Sequence, residues 1–133
     1  RLVLFLKKNY SIKKIKFSHN LNQIINEKFN IILLQSSLHY FVKPYEFLNK
    51  ILQVNSDFLI IDETPIYNDI SEKIKIQVIP EKIYPAKYPL HILNKKKIIS
   101  NLSINYSLIE DKICYTGIGG YNYQYLVFKK KYV

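Results

Sequence analysis

The 133-residue sequence contains no methionine or tryptophan, three glycines and one cysteine, Cys114. A single cysteine excludes an internal disulfide and a cysteine-cluster metal site, and it is typical of proteins in a reducing compartment. His19 and His91 have no metal-ligand spacing, so we assign no metal. Because the sequence has no methionine and begins at Arg1, we expect a processed product or a fragment of a longer chain.

The sequence also lacks long apolar runs. No segment approaches the roughly 18 apolar residues of a membrane span. The short run at residues 2–6 is followed by two lysines rather than by a small-residue cleavage site, so it does not resemble a signal peptide. Together with the single cysteine, these absences predict a cytoplasmic protein with no membrane span.

Arginine is almost absent, although the formal net charge is +10. A basic balance attracts polyanions. Every basic residue except Arg1 is lysine, however, and arginine is the side chain best suited to bidentate phosphate and base contacts. The lysines are also expected from the bias of an AT-rich coding sequence. We therefore expect no specific nucleic-acid binding, and keep a basic anion-binding module as an alternative.

Hydrophobic periodicity predicts alternating helices and strands in the first half of the chain. Continuous apolar runs at 31–34 and 58–61 are typical of parallel strands buried on both faces. Pro44 begins an amphipathic helix between them, which makes a β-α-β unit. The remaining predictions for this half are a helix tail at 2–9, a short strand at 12–17, and a helix with apolar positions at Leu21, Ile24, Ile25 and Phe29.

In the second half of the chain, the sequence pattern predicts a different order of helices and strands. Residues 74–79 alternate like a strand, and residues 90–102 are typical of a last helix. Residues 104–109 and 123–128 alternate like an antiparallel pair at one edge of the sheet. The glycines at 117, 119 and 120 lack the Gly-x-Gly-x-x-Gly spacing, so we predict a loop between the two antiparallel strands.

Polar residues follow both apolar runs of the β-α-β unit, at 35–40 and at 62–65. In open α/β sheets, ligands bind outside the carboxyl ends of the strands. The two segments follow neighbouring parallel strands, so we expect them to meet at one edge. The sequence therefore predicts a ligand cleft at this edge.

Four segments carry a resemblance to a known family: LLQSSLHYFVKPY, IIDETPI, IQVIPEKIYPAKYP and GIGGY. With the order of predicted elements, they resemble the C-terminal half of a class I S-adenosylmethionine (SAM)-dependent methyltransferase. More narrowly, they are similar to a bacterial methyltransferase family associated with surface-polysaccharide genes. Glu63, His39 and His91 depart from that pattern, where arginine, glutamine and tryptophan are usual.

The resemblance implies an α/β fold: a partial Rossmann-like three-layer sandwich, with parallel strands and an antiparallel pair at its C-terminal edge. It implies a single domain over residues 1–133 that lacks the N-terminal cofactor-binding strands, since no glycine-rich turn precedes residue 12. The intact protein would use SAM to methylate a small-molecule or saccharide-linked acceptor. This chain alone would be inactive, and its exposed sheet edge would favour self-association.

The resemblance also places the site residues. Ser36, Ser37 and His39 would lie against the cofactor, with His39 and Asp62 as candidate bases. The substrate-binding candidates are Asp62, Thr64, Gln77, Tyr84 and Tyr88. Each assignment has a structural alternative: His39 would cap the following helix, Asp62 would cap the turn at Thr64, and the tyrosines would pack a proline-rich loop onto the core.

One further alternative concerns the whole protein. A non-catalytic binding or scaffold protein would keep this fold after losing its cofactor half, and the absent glycine turn favours it. A glycine-rich turn upstream of Arg1 would remove that support.

Overall fold

The computed structural model describes residues 17–18, 20–68, 72–117 and 119–132. The predicted helix tail at 2–9 and all but the last residue of the predicted strand at 12–17 lie outside the described residues. None of the helices in the described part of the chain has the length and apolar character needed to cross a membrane.

The described chain forms a mixed α/β structure. Two 3-10 turns lie before the first helix, at Leu21–Gln23 and Leu38–Tyr40. The helices are α1 (Pro44–Ile51) and α2 (Lys95–Leu102). The strands are β1 (Lys28–Gln35), β2 (Asn55–Tyr67), β3 (Lys73–Ile79), β4 (Ala86–Asn94), β5 (Tyr106–Thr116) and β6 (Asn122–Lys130).

The long strand β2 lies at the centre of the six-stranded sheet, in which five strands follow the order β3-β4-β2-β6-β5 and β1 pairs with β2 beside this path. One edge of β2 pairs antiparallel with β6. The other edge pairs in parallel with β1 at its start and with β4 at its end. Parallel and antiparallel pairs therefore meet on a single strand.

The predicted β-α-β unit is confirmed, because β1 and β2 are parallel and α1 connects them. Pro44 stands in the first turn of α1, where its missing N–H is not needed. Leu48 and Ile51 recur at helical spacing and are buried against the sheet. The predicted antiparallel pair is also confirmed, as β5 and β6.

Both helices pack on the same face of the sheet. Leu48 of α1 and Ile98 of α2 belong to one buried cluster with Leu34, Leu59 and Phe128 of the strands. The described residues thus form two layers, and the third layer of the predicted sandwich stays a prediction.

The prediction that residues 31–34 are buried on both faces is wrong. Ile31 and Leu33 point away from the helices and are each 54% exposed, whereas Leu34 on the helix face is 8% exposed. Periodicity cannot reveal this difference, because a continuous apolar run looks the same whether one face or two are covered.

One predicted helix is wrong, and another is confirmed only in its second part. The apolar positions at 21–29 form only a 3-10 turn before β1 begins at Lys28, and none of the turn residues is buried. Residues 90–94 of the predicted last helix belong to β4, where Leu90 and Ile92 lie opposite Lys75 and Lys73 of β3. The helix begins only after Asn94, whose side chain accepts a hydrogen bond from the backbone N–H of Lys97.

Candidate functional site

One edge of β2 pairs with two different strands, and the change from one to the other falls between Asp62 and Ile66. β1 pairs with β2 as far as Gln35 opposite Asp62, and β4 joins the same edge at Leu93 opposite Ile66. The 3-10 turn Leu38–Tyr40 packs against both β2 and β4 in this gap. A change of strand partner is where α/β sheets form ligand clefts, and the two predicted polar segments meet here.

The sequence predicted that the second strand ends before Asp62, and this is wrong. β2 continues to Tyr67 after an irregularity in its pairing with β6 between Ile61 and Thr64. Such a bulge redirects side chains without ending the strand. Thr64 and Ile66 return to the buried face beyond it, so burial resumes where the polar sequence suggested a loop.

Two residues at this edge adopt a left-handed backbone conformation. Ser36 has φ +43° and Glu63 has φ +46°, and they are the non-glycine residues with positive φ in the described chain. Their side chains meet, since Ser36 Oγ donates a hydrogen bond to Glu63 Oε2 at 2.6 Å. The backbone N–H of Ser36 also donates to the Asp62 carbonyl oxygen at 3.0 Å. Strain of this kind concentrates at functional sites.

The conformation of Glu63 gives a direct test. Glu63→Gly and Glu63→Ala both remove the carboxylate, but only glycine adopts positive φ without strain. We expect Glu63→Gly to be more stable to urea unfolding than Glu63→Ala by about 1 kcal/mol. Equal stabilities for the two variants would contradict the left-handed conformation at this position.

Asp62 occupies the centre of the bulge. Its Oδ1 accepts a hydrogen bond from the backbone N–H of Glu63 at 2.8 Å and a longer one from the Cys114 thiol at 3.8 Å. The Thr64 hydroxyl donates to the backbone carbonyl oxygen of Asp62 rather than to its carboxylate. Within the described residues, neither carboxylate of the Asp62–Glu63 pair forms a salt bridge.

His39 lies beneath this edge and is 2% exposed. It does not cap the following helix, because the N-cap of α1 is Lys43 and receives no side-chain cap. Its Nδ1 finds no hydrogen-bond partner among the described residues. Burial, with a smaller contribution from His91, lowers the pKa of His39 to about 4. The imidazole is therefore neutral at physiological pH and only a weak base.

Three predicted substrate residues meet on the β3–β4 hairpin. Gln77 Oε1 accepts a hydrogen bond from the Tyr40 hydroxyl at 2.7 Å, and the Tyr84 and Tyr88 hydroxyls are 2.8 Å apart. Tyr84 is 51% exposed, so the alternative that it packs onto the core is wrong. Thr64 lies apart from them, fully buried under the bulge.

Two cavities open on either side of Tyr40. The smaller, about 260 Å³, is lined by Ser36, Ser37, Tyr40 and Phe41. The larger, about 460 Å³, is lined by Tyr40, Tyr84, Tyr88 and Pro89. Sites for cofactors and drug-sized ligands usually span about 300–1,000 Å³. The smaller cavity lies just below this range and the larger one falls within it.

Sequence reasoning missed Tyr40, the side chain shared by both cavities. It also missed Tyr115 and Tyr123, which stack with ring centroids 4.4 Å apart, Tyr123 lying beside His39. The signal in the sequence was the abundance of tyrosine, twelve residues in all. Only the tertiary structure shows which of them gather at the edge.

Comparisons with known proteins give a fold but no family. No protein-family model matches the sequence, and no curated protein matches it. The N-terminal domain of EvdMO1, crystallised with S-adenosylhomocysteine (SAH) and D-fucose, is similar in structure with a TM-score of 0.54 at 12% identity. The match covers 86% of this chain and 52% of that one. The same domain with SAH alone gives a TM-score of 0.53 at 10% identity, covering 86% and 50%. This chain thus shares the fold of that domain and spans about half the length of these structures.

Proposed function

We propose that this chain is the C-terminal part of a SAM-dependent methyltransferase. The observation that carries the proposal is the fold shared with a domain that binds SAH, the product left when SAM gives up its methyl group. The edge where β1 and β2 meet supports it, since it brings together strained backbone, a carboxylate pair and two cavities. Cofactor-binding strands upstream of this chain would complete the site and supply the third layer.

The described residues divide between two sides of the proposed site. Ser36, Ser37 and His39 would contact the cofactor, whose sulfonium group supplies an electrophilic methyl group. The smaller cavity supports this side, because Ser36 and Ser37 line it. Gln77, Tyr84 and Tyr88 would contact the acceptor, and Thr64 would support the bulge from below.

Asp62 is the better candidate base for an acceptor that must lose a proton. Within the described part of the chain, its Oδ2 accepts no hydrogen bond, so it is available to a hydroxyl group. His39 is the weaker candidate, since its low pKa and burial reduce its basicity and access. Formation of the oxygen–methyl bond would be matched by cleavage of the sulfur–methyl bond of SAM, which leaves SAH; Asp62 would accept the hydroxyl proton of the acceptor, so that the methyl ether is neutral.

We propose a small-molecule or saccharide-linked acceptor and a cytoplasmic location. D-fucose in a similar structure supports the saccharide class. The segment IYPAKYP supports the narrower kinship with polysaccharide-associated methyltransferases. The nearly arginine-free composition supports the view that nucleic acid is not the acceptor.

Calorimetric titration of SAH tests the function. We expect SAH to bind a longer chain extended upstream in the gene, and to bind the 133-residue chain weakly or not at all. Light scattering on the same two proteins should show self-association of the shorter chain only, because Ile31 and Leu33 lie exposed on β1, whose one strand partner within the described residues is β2.

If neither chain binds SAH, the methyltransferase proposal is wrong. The remaining explanation would be a non-catalytic protein that keeps the fold, which the small size of the Ser36–Ser37 cavity favours. If the 133-residue chain binds SAH as tightly as the longer chain does, the proposal of missing cofactor strands is wrong.

A further inference from the structure

The larger cavity at the sheet edge is built from aromatic rings that remain open to solvent. Tyr84 is 51% exposed and Tyr40 is 42% exposed, so neither ring serves mainly to fill the core. The rings of Tyr40 and Tyr88 meet edge to face, with centroids 5.5 Å apart and planes at 88°. Exposed apolar surface held in a fixed, concave arrangement is typical of a ligand site.

Hydroxyl groups lie around these rings. The Tyr84 and Tyr88 hydroxyls share a hydrogen bond of 2.8 Å, and the Tyr40 hydroxyl donates to Gln77 Oε1 at 2.7 Å. The bond to Tyr84 raises the pKa of Tyr88 to about 12, so this phenol keeps its proton at physiological pH. The cavity thus combines flat apolar surfaces with neutral groups that both donate and accept hydrogen bonds.

Among the residues that the structure describes, no charged side chain lines this cavity. A cavity without charged side chains is unexpected in a chain with a net charge of +10, so its lining indicates a preference for uncharged ligands. Another cavity, of about 580 Å³, shows the contrast, since Glu72, Lys96 and Lys97 line it. A phosphate or carboxylate ligand would be stabilised by lysine and an amine by a carboxylate, and the tyrosine cavity offers neither.

We propose that the cavity lined by Tyr40, Tyr84, Tyr88 and Pro89 binds an uncharged pyranose ring. The apolar face of the sugar lies on the exposed ring of Tyr84, and its hydroxyls exchange hydrogen bonds with the tyrosine hydroxyls. Tyr40 also lines the Ser36–Ser37 cavity, so the bound sugar lies against the ring that separates it from the cofactor side. Naming this sugar as the methyl acceptor rests on the proposed function; sugar binding itself does not.

Saturation-transfer difference NMR on the 133-residue chain without SAH tests the inference. The probes are the methyl glycosides of D-fucose, D-glucose and D-galactose, with D-glucuronate and D-glucosamine as charged comparisons. We expect saturation transfer to at least one neutral glycoside and much less to either charged sugar. Tyr84→Ala should weaken binding at least tenfold.

Tyr132→Ala is the matched control, since it removes a tyrosine that is 73% exposed and whose hydroxyl bonds to Asp57 outside the cavity. It should leave sugar binding unchanged. Tyr88→Phe keeps the ring but loses the hydroxyl bonded to Tyr84, and should weaken binding less than Tyr84→Ala. Near-ultraviolet circular dichroism confirms that each variant is folded.

The inference is overturned if no neutral glycoside binds, if charged sugars bind equally well, or if a folded Tyr84→Ala variant binds normally. These results are separable from the SAH titration. Sugar binding without SAH binding by either chain leaves the saccharide site in place and removes the methyltransferase function. SAH binding without sugar binding does the reverse.

Discussion

Phe128→Ala will lower the free energy of unfolding by about 4 kcal/mol. Phe128 is 1% exposed and lies opposite Leu59 of β2 and Leu108 of β5. It contributes to the single buried cluster that joins both helices to the sheet. Truncation to alanine removes buried apolar surface and leaves a cavity between the three strands that the surrounding side chains cannot fill. The loss of stability therefore includes both the lost burial of the ring and the cost of the cavity. Urea denaturation followed by circular dichroism measures the loss.

Two further variants make this result interpretable. Phe128→Leu keeps most of the volume and should cost about 1 kcal/mol. Val42→Ala shortens a side chain that is 85% exposed, and should change stability by less than about 0.5 kcal/mol. A loss for Phe128→Ala no larger than that for Val42→Ala would place Phe128 outside the core.

Acidification will destabilise the protein through His39. The folded state lowers the pKa of His39 from 6.5 to about 4, so between these values the unfolded chain binds a proton that the folded chain does not. The free energy of unfolding is therefore highest above about pH 6.5, where the imidazole is neutral in both states. It decreases as the pH falls towards 4, because protonation then favours the unfolded chain. The full loss is about 3 kcal/mol.

His39→Gln isolates this contribution, because glutamine is polar but does not titrate. Urea unfolding of both proteins at about pH 7 and about pH 4.5 gives two differences in stability. The loss on acidification should be about 2–3 kcal/mol smaller in His39→Gln. Parallel losses in the two proteins would show that His39 is not buried in the neutral form.

The parallel pair β1–β2 could be predicted because the sequence features that specify it lie within short segments of the chain. The runs at 31–34 and 58–61 contain apolar residues alone, and Pro44 marks the start of the helix between them. The antiparallel pair β5–β6 was predictable for the same reason, from alternation and a glycine-containing turn. In each case the local pattern predicted the strands correctly, although it did not reveal that Ile31 and Leu33 are exposed.

Where packing overrides periodicity, the prediction failed. Residues 90–102 have apolar positions compatible with a helix, yet Leu90 and Ile92 pair with β3, and only the segment after Asn94 is helical. The positions from Leu21 to Phe29 failed similarly, since Phe29 joins the ladder opposite Ser56. The hydrogen bonds of a ladder depend on a partner strand far away in the chain, which a local window does not contain.

The sequence predicted part of the candidate site. The sequence indicated that the segments 35–40 and 62–65 meet, and the 2.6 Å hydrogen bond from Ser36 to Glu63 shows that they do. It did not indicate that β2 continues past Asp62, nor that Tyr40 separates two cavities. Those facts follow from the bulge and from the folding of the β3–β4 hairpin against the 3-10 turn.

The sequence by itself determined the parallel β-α-β unit, the antiparallel pair and the position of the polar edge, because local side-chain pattern and turn chemistry specify each of them. Only the tertiary structure decided which sheet face is covered, that His39 is buried and neutral, and that Tyr40, Tyr84 and Tyr88 share a cavity. Burial and proximity between distant residues depend on how elements pack, and residues far apart in sequence carry no local signal of that packing.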